Sequence, residues 1–165
     1  FNFSVYVPLL ARDVLHVDAA GFGFLMAAVG VGAVTGALTL GSLRQPQLPL
    51  PQVLAAGFLA CGSLIAMSAV VHFWVAVVML FVIGVSGIML VASCNTALQL
   101  AAPDALRGRV MSLYTLIFGG TFPLGSFMVG WISERSSVSA AYLGAGVSGV
   151  AALVLITFWW RSDPE

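Results

Sequence analysis

Lysine is absent from this chain, and charge of either sign is scarce: six arginines and six acidic residues among 165, for a net charge of zero. The absence of any basic excess excludes nucleic acid and other polyanions as partners, because their binding leaves a cationic patch or stripe. Charged residues make up 7% of the chain, where a soluble domain carries about 25%. With 61% hydrophobic residues and a mean hydropathy of +1.08, no soluble fold has the surface to hide so much apolar material. Cysteine is nearly missing too. Cys61 and Cys94 both lie within apolar runs, where a thiol is read as a small buried hydrophobe, so neither a disulfide framework nor a metal site is expected. The sequence calls for no cofactor.

What charge there is sits at joints. It falls at Arg12 to Asp18, Arg44, Asp104 to Arg109, Glu134 with Arg135, and Arg161 to Glu165, leaving uncharged runs over 19–43, 45–103, 110–133 and 136–160. About 20 apolar residues cross the hydrocarbon of a bilayer as a helix, and a charge at its centre costs roughly 2.5–3.5 kcal/mol. The solvent for these runs is therefore lipid. The 59-residue run from 45 to 103 exceeds one crossing, and His72 beside Phe73 and Trp74 marks a turn that divides it. Pro46, Pro49 and Pro51 mark a loop before it, and Pro103 ends it. The expected spans are 20–43, 52–71, 74–101, 110–132 and 139–160, preceded by an apolar stretch at 1–10. That stretch is too short to cross and reads as the end of a helix that begins upstream, so the chain is expected to be a fragment of a longer protein.

Gly32 with Gly36, and Ala141, Ala145 and Gly149, form small-residue faces suited to close helix packing. Counting crossings back from the tail puts Arg44, Arg107, Arg109 and Arg161 on one side and Arg12 and Arg135 on the other. The positive-inside rule then places the first group, and the C-terminus, in the cytoplasm. Trp159 and Trp160 beside Arg161 read as an interface anchor.

Residue patterns become specific in the second half of the chain. Asn95-Thr-Ala-Leu-Gln99, Pro103-Asp104, Arg107-Gly-Arg109-Val110 and the helix holding Gly119, Gly120, Pro123, Gly125 and Gly130 resemble the tenth and eleventh helices of a major facilitator superfamily transporter. They are most similar to its enterobactin-exporter and macrolide-efflux branch. Leu9-Leu-Ala-Arg12-Asp13 through Gly21-Phe-Gly-Phe-Leu25 resembles the junction of that family's seventh and eighth helices. The resemblance implies an all-α membrane fold, in which this chain is the C-terminal six-helix half, from late helix 7 to helix 12, of a twelve-helix protein. It further implies alternating access against an N-terminal six-helix half, residence in a bacterial inner membrane, and proton-coupled efflux of a drug or siderophore. Where many members carry acidic and basic residues between helices 8 and 9, this chain reads Gly41-Ser-Leu-Arg44-Gln-Pro-Gln, without an acid.

Which side chains could serve transport? No span holds a charged residue or histidine at mid-depth, so the coupling carboxylate is expected in the other half. Asn95 and Gln99 stand four apart on one helix face with Gly84 and Ile88; they either bond a neighbouring helix or line the pathway. By the resemblance Asn2, Ser4 and Tyr6 occupy a second cavity-lining helix. Phe1, Phe3, Tyr6, Tyr114, Phe118 and Phe122 offer aromatic walls for a bulky amphipathic solute, and Asn2, Tyr6, Asn95, Gln99 and Tyr114 are the candidate substrate-pathway residues. Asp104, Arg107 and Arg109 form a candidate cytoplasmic gate loop, their guanidiniums within reach of carboxylates or helix C-terminal carbonyls. Gly120, Pro123 and Gly125 form a candidate helix hinge, since Pro123 removes a backbone hydrogen bond in mid-span.

Two other classes compete with a transporter. Gly84-Val-Ser86-Gly87 and Gly146-Val-Ser148-Gly149 resemble the serine motif of intramembrane proteases, but such a serine needs a base, and His16 and His72 lie at expected helix ends. The chain is not expected to be an enzyme. A channel or a structural membrane subunit is the other alternative.

Overall fold

Apolar residues dominate every turn of these segments, and a backbone in lipid must satisfy its own amides and carbonyls, which a helix does within one segment. The computed structural model describes residues 2–42 and 50–162, and among them it is all helix and connecting turns. The order is α1 (Phe3–Leu9) continued by a π-helical turn (Leu10–Val14), α2 (Ala19–Ser42), α3 (Leu50–Met67), α4 (Phe73–Ala101), α5 (Arg107–Arg135) and α6 (Val138–Ser162). Phe1, Arg44 and the proline-rich segment before Leu50 lie outside the described residues, as do the departing loop to Gln47 and the side chains of Trp160 and Arg161. Among the described helices, α2, α4, α5 and α6 are long and apolar enough to cross a membrane. The 18 residues of α3 rise about 27 Å, just under the ~30 Å of a hydrocarbon core.

Besides α3, which takes Pro51 into its first turn and ends at Met67 instead of 71, two boundaries differ from the sequence expectation. Helix α1 does not stop at 10 but runs on through Arg12 and Asp13, its last turn widened so that Leu15 N–H donates to Leu10 C=O at 2.9 Å. His16 then takes a left-handed backbone, φ 50°. Val17 N–H closes back on Ala11 C=O at 3.0 Å and the His16 Nδ1–H donates to Arg12 C=O at 2.8 Å, which together end the helix. Asp18 starts the next one by accepting Gly21 N–H at 2.9 Å, satisfying a donor the first turn leaves open. The second difference is at the Arg-Gly-Arg motif, read above as loop. After Pro103 a single turn, Leu106 N–H to Pro103 C=O at 2.9 Å, reverses the chain. Arg107 and Arg109 thus already belong to the first turn of α5.

Packing is uneven. The core joins Tyr6, Val7 and Leu10 of the first helix to Leu25 of α2, Met67 at the end of α3, Leu80 of α4, Val129 of α5 and Tyr142 of α6. Those positions all lie toward the membrane side that carries Arg12, His72 and Arg135, so the bundle is closed most tightly there. Tyr6 donates its hydroxyl to Ala141 C=O at 3.2 Å, and its ring centroid lies 4.6 Å from that of Tyr142. Elsewhere α2 clasps α4 and α3 clasps α6. A Cβ added to Gly32 would collide with the Phe81 carbonyl oxygen, one on Gly84 with that of Val29, and one on Gly36 would stand 2.5 Å from Val85 O. Backbones this close are the gain small residues bring in lipid.

Helix α5 is the exception, burying only Val129 among its described residues. Outward-facing rings such as Phe127, 73% exposed, and Phe158, 75% exposed, suit a lipid or protein covering and not water. Hydroxyls inside the spans turn back on their own helices, as Thr35 does to Val31 C=O and Ser86 to Val82 C=O, each at 2.8 Å. At the closed end the Arg135 guanidinium stacks 4.6 Å from the Trp131 ring centroid, an interfacial cation–π contact.

Candidate solute pathway

Gly84, Gly87, Ile88 and Val91 recur at the spacing of one helix face, so α4 presents them together. Across from them stand Val29 and Ala33 of α2, Phe3 of α1 and Phe118 of α5, and the space enclosed is about 260 Å³. Gly84 lets α2 approach α4 closely at this level, its missing side chain replaced by the Val29 carbonyl. Toward the other end of the bundle Leu98 of α4 faces Val110, Tyr114, Ile117 and Thr121 of α5 around a second space of about 300 Å³, and Phe118 borders both. The two adjoin at Phe118 as a candidate groove, its first part walled mainly by α2 and α4 and its second by α4 and α5. Tyr114 and Phe118 line it as a stacked pair, centroids 5.9 Å apart and planes at 24°.

Of the pathway candidates, Tyr114 borders this groove. Asn95 and Gln99 do not line it; Gln99 Nε2 donates to Asn95 Oδ1, so the two amides spend themselves on each other along the surface of α4 instead of bridging to a neighbouring helix. Asn2 and Tyr6 border a separate cavity of about 240 Å³ behind α1, together with Phe3, Cys61 and Gly125. Asn2 is also a structural tie. Its Nδ2–H donates to Phe122 C=O at 3.2 Å, and its Oδ1 accepts from Ser126 Oγ at 3.1 Å.

Those bonds bear on the hinge residues. Helix α5 runs unbroken through Pro123, and the turn that follows it is held by the Asn2 amide. The ideal Cβ position on Gly125 is occupied by Asn2 Nδ2, so Gly125 is a notch for that amide; around Gly120 there is open space. The residues sequence reasoning missed are Val29, Ala33, Gly87, Val91 and Leu98. Gly87 and Val91 follow Gly84 at i+3 and i+7 on one helix face, a signal present in the sequence, whereas Val29, Ala33 and Leu98 have no such mark and join the lining only through packing.

At the other candidate site, Arg107 pairs with Asp104 (2.7 Å) and donates Nε–H to the Gln99 carbonyl (3.0 Å), tying the start of α5 to the C-terminal turn of α4. Arg109 is exposed, and its side chain meets neither carboxylate nor carbonyl among the described residues. Exposed ion pairs contribute little, so Arg107→Ala is expected to lower stability by no more than about 1 kcal/mol, and Arg109→Ala to leave it unchanged. Melting of the two purified variants checks this; a larger loss for Arg109→Ala would contradict the pairing.

Ser86, the serine of the first protease-like motif, directs its hydroxyl to carbonyls of its own helix. Among the described residues no group of histidine, cysteine or acidic side chains could hold a metal ion. Cys61 and Cys94 are free thiols on α3 and α4.

Residues 3–162 match the family described as transmembrane secretion effector. Similar curated proteins include an enterobactin exporter of Shigella flexneri, 31% identical over 160 residues, which covers 92% of this chain and 38% of that protein. Another is an enterobactin exporter of Escherichia coli O139:H28 at the same identity, with 37% of its length covered. The chain thus spans less than two-fifths of the length of the relatives it matches. No solved structure matches it significantly.

Proposed function

Because this chain belongs to the transmembrane secretion effector family of the major facilitator superfamily, a family of transporters and not of enzymes, we propose that it is the C-terminal half of a secondary active exporter. In this reading it works with an N-terminal six-helix half, in a bacterial inner membrane, with its C-terminus in the cytoplasm. Its solute is bulky and amphipathic, a siderophore or a drug. The observation that carries the reading is the groove along α4 and α5, which begins at Phe3 and Gly84 near mid-depth and runs to Leu98 and Val110 by the arginine-bearing turn.

That geometry supports a one-sided opening. Around Tyr6, Leu80 and Tyr142 the bundle is interlocked and acts as the fulcrum, while α5, which buries almost nothing toward its start, is free to approach or leave α4. Alternating access then exposes the groove to one side or the other. Aromatic and aliphatic walls bind the apolar part of the solute by desolvation, and the few polar groups, such as the Tyr114 hydroxyl, orient it. Among the described residues no acidic, basic or histidine side chain lines the groove, so proton coupling falls to a carboxylate of the N-terminal half.

The test is an efflux assay of the full-length protein in exporter-deficient cells, with enterobactin and a panel of macrolides. Energised cells should lose at least one of these solutes faster than cells with empty vector, and collapse of the proton gradient should abolish the difference. Retention of every solute would overturn the reading.

A further inference from the structure

The cavity behind α1 belongs to no step of that cycle, and its origin is visible in the residues around it. Ala60 of α3 and Ala145 of α6 present small side chains to it, Gly125 of α5 gives its side-chain position to the Asn2 amide, and the rings of Phe3 and Tyr6 line the space from α1. About 240 Å³ results. An apolar cavity of roughly 150 Å³ accommodates benzene, so this one has room for a larger ring.

Its polar border is unfinished. Asn2 is only 6% exposed, and an amide has two N–H donors and two acceptor positions. One donor serves Phe122 C=O and one acceptor position serves Ser126, leaving one of each without a partner among the described residues in a side chain that borders the cavity. Buried polar groups find partners. A lipid acyl chain would fill the volume but has no oxygen to offer.

We propose that this cavity is a binding site for one small aromatic group carrying a single hydroxyl or carbonyl oxygen, held between Phe3 and Tyr6 with its oxygen on the Asn2 amide. The site goes beyond the transport reading and does not depend on it, because occupancy is measured on purified protein. Cys61 borders the same space and reports on it.

The experiment uses the full-length protein with Cys94→Ser, purified in detergent, and follows alkylation of Cys61 by N-ethylmaleimide in the presence of 2-naphthol or naphthalene. Saturating 2-naphthol is expected to slow alkylation roughly fivefold or more, the behaviour of a site mostly occupied by ligand, and naphthalene to protect less. Ala145→Phe, which fills the space from α6, should remove the protection; Ala60→Leu fills it from α3 if the first variant does not fold. An unchanged rate with 2-naphthol overturns the proposal. So does equal protection by naphthalene, which would leave the amide without a part. Protection by reconstitution into phosphatidylethanolamine vesicles, with no added effect of 2-naphthol, would assign the cavity to an acyl chain and overturn it as well.

Discussion

Gly84→Ala is expected to lower the stability of the folded protein by about 3 kcal/mol, and Gly84→Leu to prevent a folded bundle from forming. A single added carbon at this position meets the carbonyl oxygen of Val29, with Ala33 N at 3.1 Å and Gly32 Cα at 3.2 Å behind it. Overfilling a packed core costs typically 1–3 kcal/mol even when side chains can rotate away. Here the obstacle is backbone, so the helices themselves must separate, and the α2–α4 contact is the most extensive in the bundle. Gly32→Ala should behave alike, its Cβ meeting Phe81 O. Gly30→Ala on the same helix, with open space around it, is the control and should be neutral or slightly stabilising, since alanine is the better helix former. Thermal melting followed by size-exclusion chromatography reads all four. If Gly84→Ala melts with the unmodified protein, the close crossing of α2 and α4 is wrong.

The second large effect is on transport. Val91→Trp places an indole in the groove between α4, α2 and α5, where Val91 is half-buried beside Gly87 and Ile88. Export is expected to fall by roughly tenfold or more, equivalent to about 1.4 kcal/mol or more of lost solute binding, while melting and membrane insertion stay close to the unmodified values. Leu155→Trp, at a position 70% exposed on the outer face of α6, adds the same bulk where only lipid or a neighbouring protein is displaced and should export normally. Equal export by both variants would remove the groove from the pathway. Loss of export in both, with normal insertion, would mean that bulk anywhere on the half is harmful and that Val91 has no special place.

Both predictions rest on residues whose types were obvious and whose roles were not. Helix number, polarity and joints were legible because a charge in lipid is expensive enough to be excluded from every span. The family was legible from the Asn95 to Val110 pattern together with the glycine-proline helix after it and the Leu9 to Leu25 stretch. Gly32 and Gly36 announced a close contact by their spacing, but spacing names no partner; that Gly84 completes it from α4 depends on which helix lies opposite.

The partners of polar residues were not legible, for a related reason. In lipid an amide must find a partner, and sequence shows only candidates. Asn95 found Gln99 on its own helix, whereas Asn2 found Phe122 and Ser126 more than a hundred residues away. The Arg107-Gly-Arg109 turn was shorter than expected because one hydrogen-bonded reversal after Pro103 suffices. Two arginines that looked equivalent then point to different surroundings, one held by Asp104 and the Gln99 carbonyl, the other exposed.

What the sequence by itself determined is the solvent of this protein, the places where its chain crosses that solvent, and the family to which it belongs. These follow from the energy of transferring single residues, or from local motifs, and need no neighbour to evaluate. Only the tertiary structure decided which end of the bundle interlocks, that the α4–α5 groove is lined by glycine and apolar side chains, and that Asn2 faces inward toward α5. Those outcomes depend on which helices lie adjacent and at what distance, and contact between residues far apart in sequence is a property of the packed bundle alone.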